Sequence, residues 1–255
     1  YNILQKGGIG LRIFDAILEG IRAFPDGKVS DIVLGWYGSV VVLKDGRYGL
    51  GSVPSSKYVE TFEASFLQIR RLLQLSAQGL AELLVSPYPQ EFAIASAAAS
   101  ALAPVKVQGI SLQKFLASLD SKKLYIVGYE RPLVLLFNKL NLNPYVLDDM
   151  SRKPGVLPSW VGPHLLNDAD WLWITCQALR DRQMLSLEKL MKNTKKVVLL
   201  GPGIPWLPDV LRAIGINFVA QPRPLHDKAG DVFNYIAAGG NYWDHELFSW
   251  EVHQL

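Results

Sequence analysis

At 255 residues, with 49% hydrophobic and 19% charged residues, the chain has the composition of a well-packed globular protein with length for two ordinary domains, which excludes disordered and fibrous classes. A net charge of +3 is modest, and Lys6, Lys122, Lys123, Lys192, Lys195 and Lys196 are scattered beside turns and helix ends rather than striped among aromatics, which argues against nucleic acid as a partner. A single cysteine, Cys176, excludes an intramolecular disulfide and a multi-cysteine zinc cluster.

Ile9 to Phe24 places Ile9, Ile13, Phe14, Ile17, Leu18 and Ile21 on one face of an amphipathic helix, which Pro25-Asp-Gly27 ends. Ile32 to Tyr37, Ser39 to Leu43 and Tyr48 to Val53 read as an antiparallel meander with a tight turn at Lys44 to Arg47. Helices follow over Thr61 to Gly79 and Gly79 to Leu84, and after Ser86-Pro-Tyr-Pro89 a third runs through the alanine-rich segment to Leu102. The segment Phe92 to Val105 is apolar but too short and too alanine-rich to span a bilayer, so it reads as a buried helix and no membrane partner is expected. Neither a secretory signal nor a lipidation pattern is read at the ends, and the expected location is cytoplasmic.

Strands followed by helices imply an α+β domain, here residues 1–112. From Leu124 the pattern changes to alternation. Leu124 to Gly128, Tyr145 to Asp148, Trp171 to Thr175, Val197 to Leu200 and Asn217 to Val219 read as strands. The helices between them are Pro132 to Leu140, a short turn near Val161 to Asn167, Leu179 to Met191 and Leu207 to Ile214. Such alternation predicts a mostly parallel sheet flanked by helices over residues 113–255. The expected architecture is therefore two domains, α+β followed by α/β.

Open parallel sheets bind ligands beyond the carboxyl ends of their strands, which fixes where to search. Gly128 ends the first strand of the second half without the further glycines of a dinucleotide fingerprint, so a conventional NAD site is disfavoured. Asp148 ends the second strand; a cap or turn role outweighs contact with a polyol there. Thr175 ends the third, where its hydroxyl either binds an anion or caps the next helix. Cys176 has no base beside it in sequence and reads as a small buried hydrophobe rather than a nucleophile. Gly201-Pro-Gly-Ile-Pro205 stiffens a strand-to-helix loop and leaves the Gly203 N–H for an anion; a turn without a ligand is the equal alternative. His164, His226, His245 and His253 show no metal-ligand spacing, and Asp244-His-Glu246 with Glu251-Val-His253 reads as a solvated tail.

Val127-Gly-Tyr129 with Pro132-Leu133, Ala169-Asp170 leading to Thr175 and Ala178-Leu179, and the Gly-Pro-x-x-Pro-x-x-Pro run of Val197 to Pro208 together resemble the heavy-metal chelation family of domains of unknown function. Gly35 to Gly51 and Glu91 to Leu102 resemble its companion domain. The resemblance implies an enolase N-terminal-like first domain, a Rossmann-like second domain and a site between them. It carries Gly128, Tyr129, Thr175, Gly201, Pro202 and Pro205 over as ligand-binding positions. It also implies metal handling, or condensation or hydrolysis of a pterin-, flavin- or siderophore-like chelator.

Two functional classes follow. One is an enzyme of the interdomain cleft with Glu130 or Asp148 as general acid or base and the Gly201 loop holding an anionic group. The other is a protein that binds a metal or a chelator without chemistry. One cysteine, three methionines and four dispersed histidines favour an organic chelator or a transient, oxygen-rich metal site as the cofactor. An S-adenosylmethionine methyltransferase ranks below both. Seven tryptophans and high apolarity admit a homodimer.

Overall fold

The computed structural model describes residues 12–53, 70–120, 123–149, 151, 153–183, 191, 194–225 and 229–255. Ile9 to Leu11 of the opening helix, residues 61–69 of the expected Thr61–Gly79 helix, residues 184–190 of Leu179–Met191, and Lys6, Lys122, Lys192 and His226 lie outside them.

The opening helix, Arg12–Ile21, buries Ile13, Phe14, Ile17, Leu18 and Ile21, the stripe its periodicity predicts. Three antiparallel strands follow, β1 (Val29–Leu34), β2 (Ser39–Leu43) and β3 (Tyr48–Gly51), ordered β1-β2-β3. The first strand sits earlier than its expected range of Ile32 to Tyr37. Gly35 N–H donates to Gly38 O at 2.8 Å, so Trp36 and Tyr37 form the hairpin tip and are exposed instead of paired.

The helix Pro89–Leu102 lies on this sheet, buried along nearly its whole length. Its alanines allow backbone-to-backbone approach. A Cβ on Gly49 would stand 2.1 Å from Ala97 O, and one on Gly51 2.3 Å from Ala93 O. Hydroxyls tie the layers together: Ser39 Oγ donates to Ala93 O at 2.7 Å and Ser100 Oγ to Leu50 O at 2.9 Å.

The second sheet has eight strands. They are β4 (Ile110–Ser111), β5 (Leu124–Val127), β6 (Tyr145–Leu147), β7 (Val156–Leu157), β8 (Trp171–Thr175), β9 (Lys196–Leu200), β10 (Phe218–Pro224) and β11 (Phe248–Gln254), in the order β4-β11-β10-β9-β8-β5-β6-β7. From β10 through β7 all neighbours are parallel, as the alternation predicts; β11 and β4 close one edge antiparallel.

Two expectations are corrected here. β10 runs past Val219 to Pro224, because beyond Ala220 it has outrun β9 and has only β11 beside it, where prolines cost no ladder bond on the open side. Of the supposed solvated tail, His245 and Glu246 are exposed, but Glu251-Val-His253 belongs to β11: Phe248, Trp250 and Val252 alternate into the core, while Glu251 and His253 are buried on the opposite face.

Alternate residues of the central strands feed two cores. Tyr125, Val127, Leu172, Ile174 and Leu199 pack on the face shared with the opening helix and the alanine-rich helix. Leu124, Ile126, Trp173 and Val198 pack on the other, beneath the helices Leu112–Ala117 and Arg131–Lys139. Apolar surface on both sheet faces is what the unbroken runs of β5 and β9 require. No helix among the described residues is long and apolar enough to cross a membrane.

Candidate small-molecule site

Strand order reverses at β5: the chain moves outward to β6 and β7, then returns to β8 on the opposite side of β5. The carboxyl ends of β5 and β8 are thus adjacent at a switch point, where open α/β sheets form their ligand crevice.

Gly128 follows β5 with φ +86°, and a Cβ there would stand 2.1 Å from Thr175 Oγ1. Both the left-handed backbone and the contact restrict this position to glycine. The next residue, Tyr129, donates its N–H to Asp148 Oδ2 at 2.6 Å, and Ser151 N–H donates to Asp148 Oδ1 at 3.0 Å. Asp148 therefore ties the loop after β5 to the loop after β6, the turn role weighed against ligand contact above.

Glu130 lies one residue further on. Gln177 Nε2 donates to its Oε2, and Trp243 Nε1 donates to its Oε1 at 3.1 Å. Burial pushes this carboxyl up to about 7, against the opposing pull of the Trp243 and Gln177 bonds and the Arg180 charge. Trp243 in turn stacks on Trp250 with ring centroids 4.2 Å apart. The structure thus brings Glu130 together with Gly128, Thr175 and Gln177, whereas Asp148 is occupied by backbone.

Thr175 Oγ1 accepts the Ala178 N–H at 3.3 Å and caps the helix Cys176–Arg180. Replacing Thr175 with alanine is expected to lower stability by about 1 kcal/mol, measured by urea denaturation; an unchanged midpoint would show that the cap contributes nothing. Cys176 donates its thiol to Pro202 O at 3.1 Å, and burial raises its pKa well above the ordinary thiol value. It is an inert packing group.

The loop from Gly201 to Pro205 is buried in the seam between the two halves. A Cβ on Gly201 would meet Cys176 at 2.6 Å, and one on Gly203 would meet Ser96 of the alanine-rich helix at 2.7 Å. Trp206 N–H continues the seam by donating to Ala103 O at 2.7 Å.

Pro202 and Gly203 face, on that seam, a cavity of about 680 Å³. β3 and the segment after the alanine-rich helix wall it on one side, and β10 and β11 wall it on the other. The antiparallel register sets Gln221 opposite Glu251 and Arg223 opposite Ser249, and these side chains line the cavity together with His253. Glu251 Oε2 accepts the Gly109 N–H at 3.1 Å and lies 3.8 Å from His253 Nε2; its Oε1 is 3.5 Å from Arg223 Nη1. His253 meets the Trp206 ring edge-on, with centroids 5.5 Å apart. Burial lowers the pKa of His253, the Glu251 charge opposes that and the Arg223 charge adds to it, so the neutral imidazole is favoured.

Gln221 Nε2 and His253 Nδ1 are buried without a hydrogen-bond partner among the described residues. Such atoms are costly to leave unmet. Sequence reasoning missed this polar row, and the period-two pattern Phe248-x-Trp250-x-Val252 is the signal that locates it.

The chain's sequence matches the DUF364 family over residues 111–253 and the DUF4213 family over residues 15–103, both described as "Putative heavy-metal chelation". It is similar to a protein of unknown function of the DUF364 family from Desulfitobacterium hafniense DCB-2, with 22% identity, a TM-score of 0.73, and 96% of this chain and 98% of that one covered. It is also similar to one from Pyrococcus horikoshii, with 14% identity, a TM-score of 0.70, and 96% and 99% covered. At these identities the likeness shows the fold, a two-domain α/β arrangement. No curated protein matches the chain.

Proposed function

The chain belongs to the DUF364 family, described as heavy-metal chelation, and from that premise we propose that it binds an organic small molecule of the chelating kind in the cavity between its halves. The observation that carries this reading is the cavity itself. A volume of about 680 Å³ is that of a small-molecule site, and a buried amide donor on its wall has no partner among the described residues.

The side chains of the described residues do not fit a heavy-metal ion. Soft metals select thiolates, and the one thiol here is buried, donates to Pro202 O and is held protonated. Among the described residues no group of three His, Cys, Asp or Glu side chains converges. Metal in this reading travels with the organic ligand. Equilibrium dialysis against micromolar Zn²⁺ and Ni²⁺ tests it: retention well below one equivalent is expected, and one equivalent bound in the absence of any organic chelator would overturn it.

A second reading, proton-transfer chemistry at the switch point rather than in that cavity, is favoured by one observation. Glu130 is a carboxyl near neutrality at the switch point, able to take or give a proton at physiological pH. Gln177 and Trp243 orient it. Full turnover by Glu130→Gln with an identified substrate would remove this role.

A further inference from the structure

The charges and unmet donors of the cavity wall specify more than a volume. Lys106 and Arg223 bring two permanent cations to the wall, and Glu251 brings one carboxylate. Glu251 is already engaged by the Gly109 N–H, and its approach to Arg223 is long at 3.5 Å. Lys106 makes no ion pair among the described residues. The wall therefore carries one positive charge in excess, and Gln221 Nε2 adds a buried donor without an acceptor among the described residues. Leu50, Pro104, Val105 and Ile204 supply an apolar surface beside it.

Resting on the reading of this cavity as the ligand site, we infer that its ligand is an organic carboxylate: an anionic head served by Arg223, Lys106 and the Gln221 amide, on an apolar body held by the prolines and aliphatic residues. The chemistry has three parts. A carboxylate offers several acceptor lone pairs, enough for the orphaned amide and both cations at once. Charge-assisted bonds from a guanidinium are the stronger ones and favour planar oxyanions. Lys106 and Arg223 attract an anion over a neutral ligand of the same shape, and they repel a cation.

Three isosteric probes separate the possibilities by isothermal titration calorimetry on the full chain: 2-naphthoate, 2-naphthamide and 2-naphthylmethylammonium. Expected is binding of naphthoate at one per chain, the amide weaker by about tenfold or more and the ammonium weakest. Arg223→Ala should weaken naphthoate by about tenfold. Arg223 has a side chain 58% exposed, so this variant folds, and Arg223→Glu should abolish binding. Ser249→Trp, opposite Arg223 in the β10–β11 register, puts an indole into the Arg223 end of the cavity and should block binding of every probe there.

Amide or ammonium binding as tightly as naphthoate, while still lost in Ser249→Trp, would overturn the carboxylate and leave the cavity as the site. Naphthoate binding unaffected by Ser249→Trp would overturn the cavity reading itself. Absence of binding by all three overturns both, and circular dichroism and Tm of each variant exclude misfolding as the cause.

Discussion

Asp181→Ala is expected to cost about 3–5 kcal/mol of stability, the largest single-site loss in the switch-point region. Asp181 forks with Arg180: Nε and Nη2 donate to its two oxygens at 2.9 and 3.0 Å. The side chains are 6% and 8% exposed. Arg180 Nη1 also donates to Val53 O, which ties the helix after β8 to the end of the first sheet. Removing the carboxylate leaves a guanidinium in a site with little water, and the cost is that of an uncompensated buried charge rather than of one lost bond. Replacing both partners at once, Arg180→Met with Asp181→Leu, should cost clearly less, because neither charge remains. Urea denaturation of the two variants decides it, and equal losses would contradict the ion-pair account.

The second large effect is a pH dependence. Glu130 moves from an ordinary carboxyl value of 4.5 to about 7 on folding, with burial as the main cause. Between those values the folded protein holds a proton that the unfolded chain has released, so stability falls as pH rises through this window and levels off above about pH 7. The difference corresponds to about 3 kcal/mol at the alkaline limit. In Glu130→Gln this component is absent. The stability of the variant relative to the natural chain should therefore rise by about 3 kcal/mol between pH 4.5 and pH 8, whatever offset the amide introduces against Gln177 and Trp243. Parallel stability curves for the two proteins would show that Glu130 titrates as an ordinary carboxylate.

The parallel core of the fold was legible because its strands are buried on both faces. Val197 to Leu200 and Leu124 to Val127 are runs that only a covered parallel sheet explains, and both lie where expected. The edges were not legible. β4 and β7 have two residues each, too few to show a period, and β11 carries Glu251 and His253 on a face that reads as polar and is in fact turned into the seam. Gly35 to Gly38 misled for a related reason, since a two-residue tip of Trp36 and Tyr37 imitates a strand by composition.

At the site, strand ends were found by position alone. Gly128 and Thr175 meet at the switch point because parallel strands end together, and a sequence with the right alternation announces that. The occupation of Asp148 by the Tyr129 and Ser151 amides depends on how two loops pack, which local sequence does not specify. The cavity is further from the sequence still. It needs the register of β10 on β11 and a segment more than a hundred residues away, so Lys106, Gln221 and His253 become neighbours only after the halves have docked. The Gly201 loop, singled out as a site in its own right, forms part of that docking seam, with Pro202 and Gly203 on the cavity wall.

Native mass spectrometry of the purified chain, with elemental analysis of the same sample, tests the central claim most directly. A non-covalent organic adduct of small-molecule mass, lost in Ser249→Trp and accompanied by metal only when the adduct is present, is the predicted result. One equivalent of metal on a chain that carries no organic mass would contradict it.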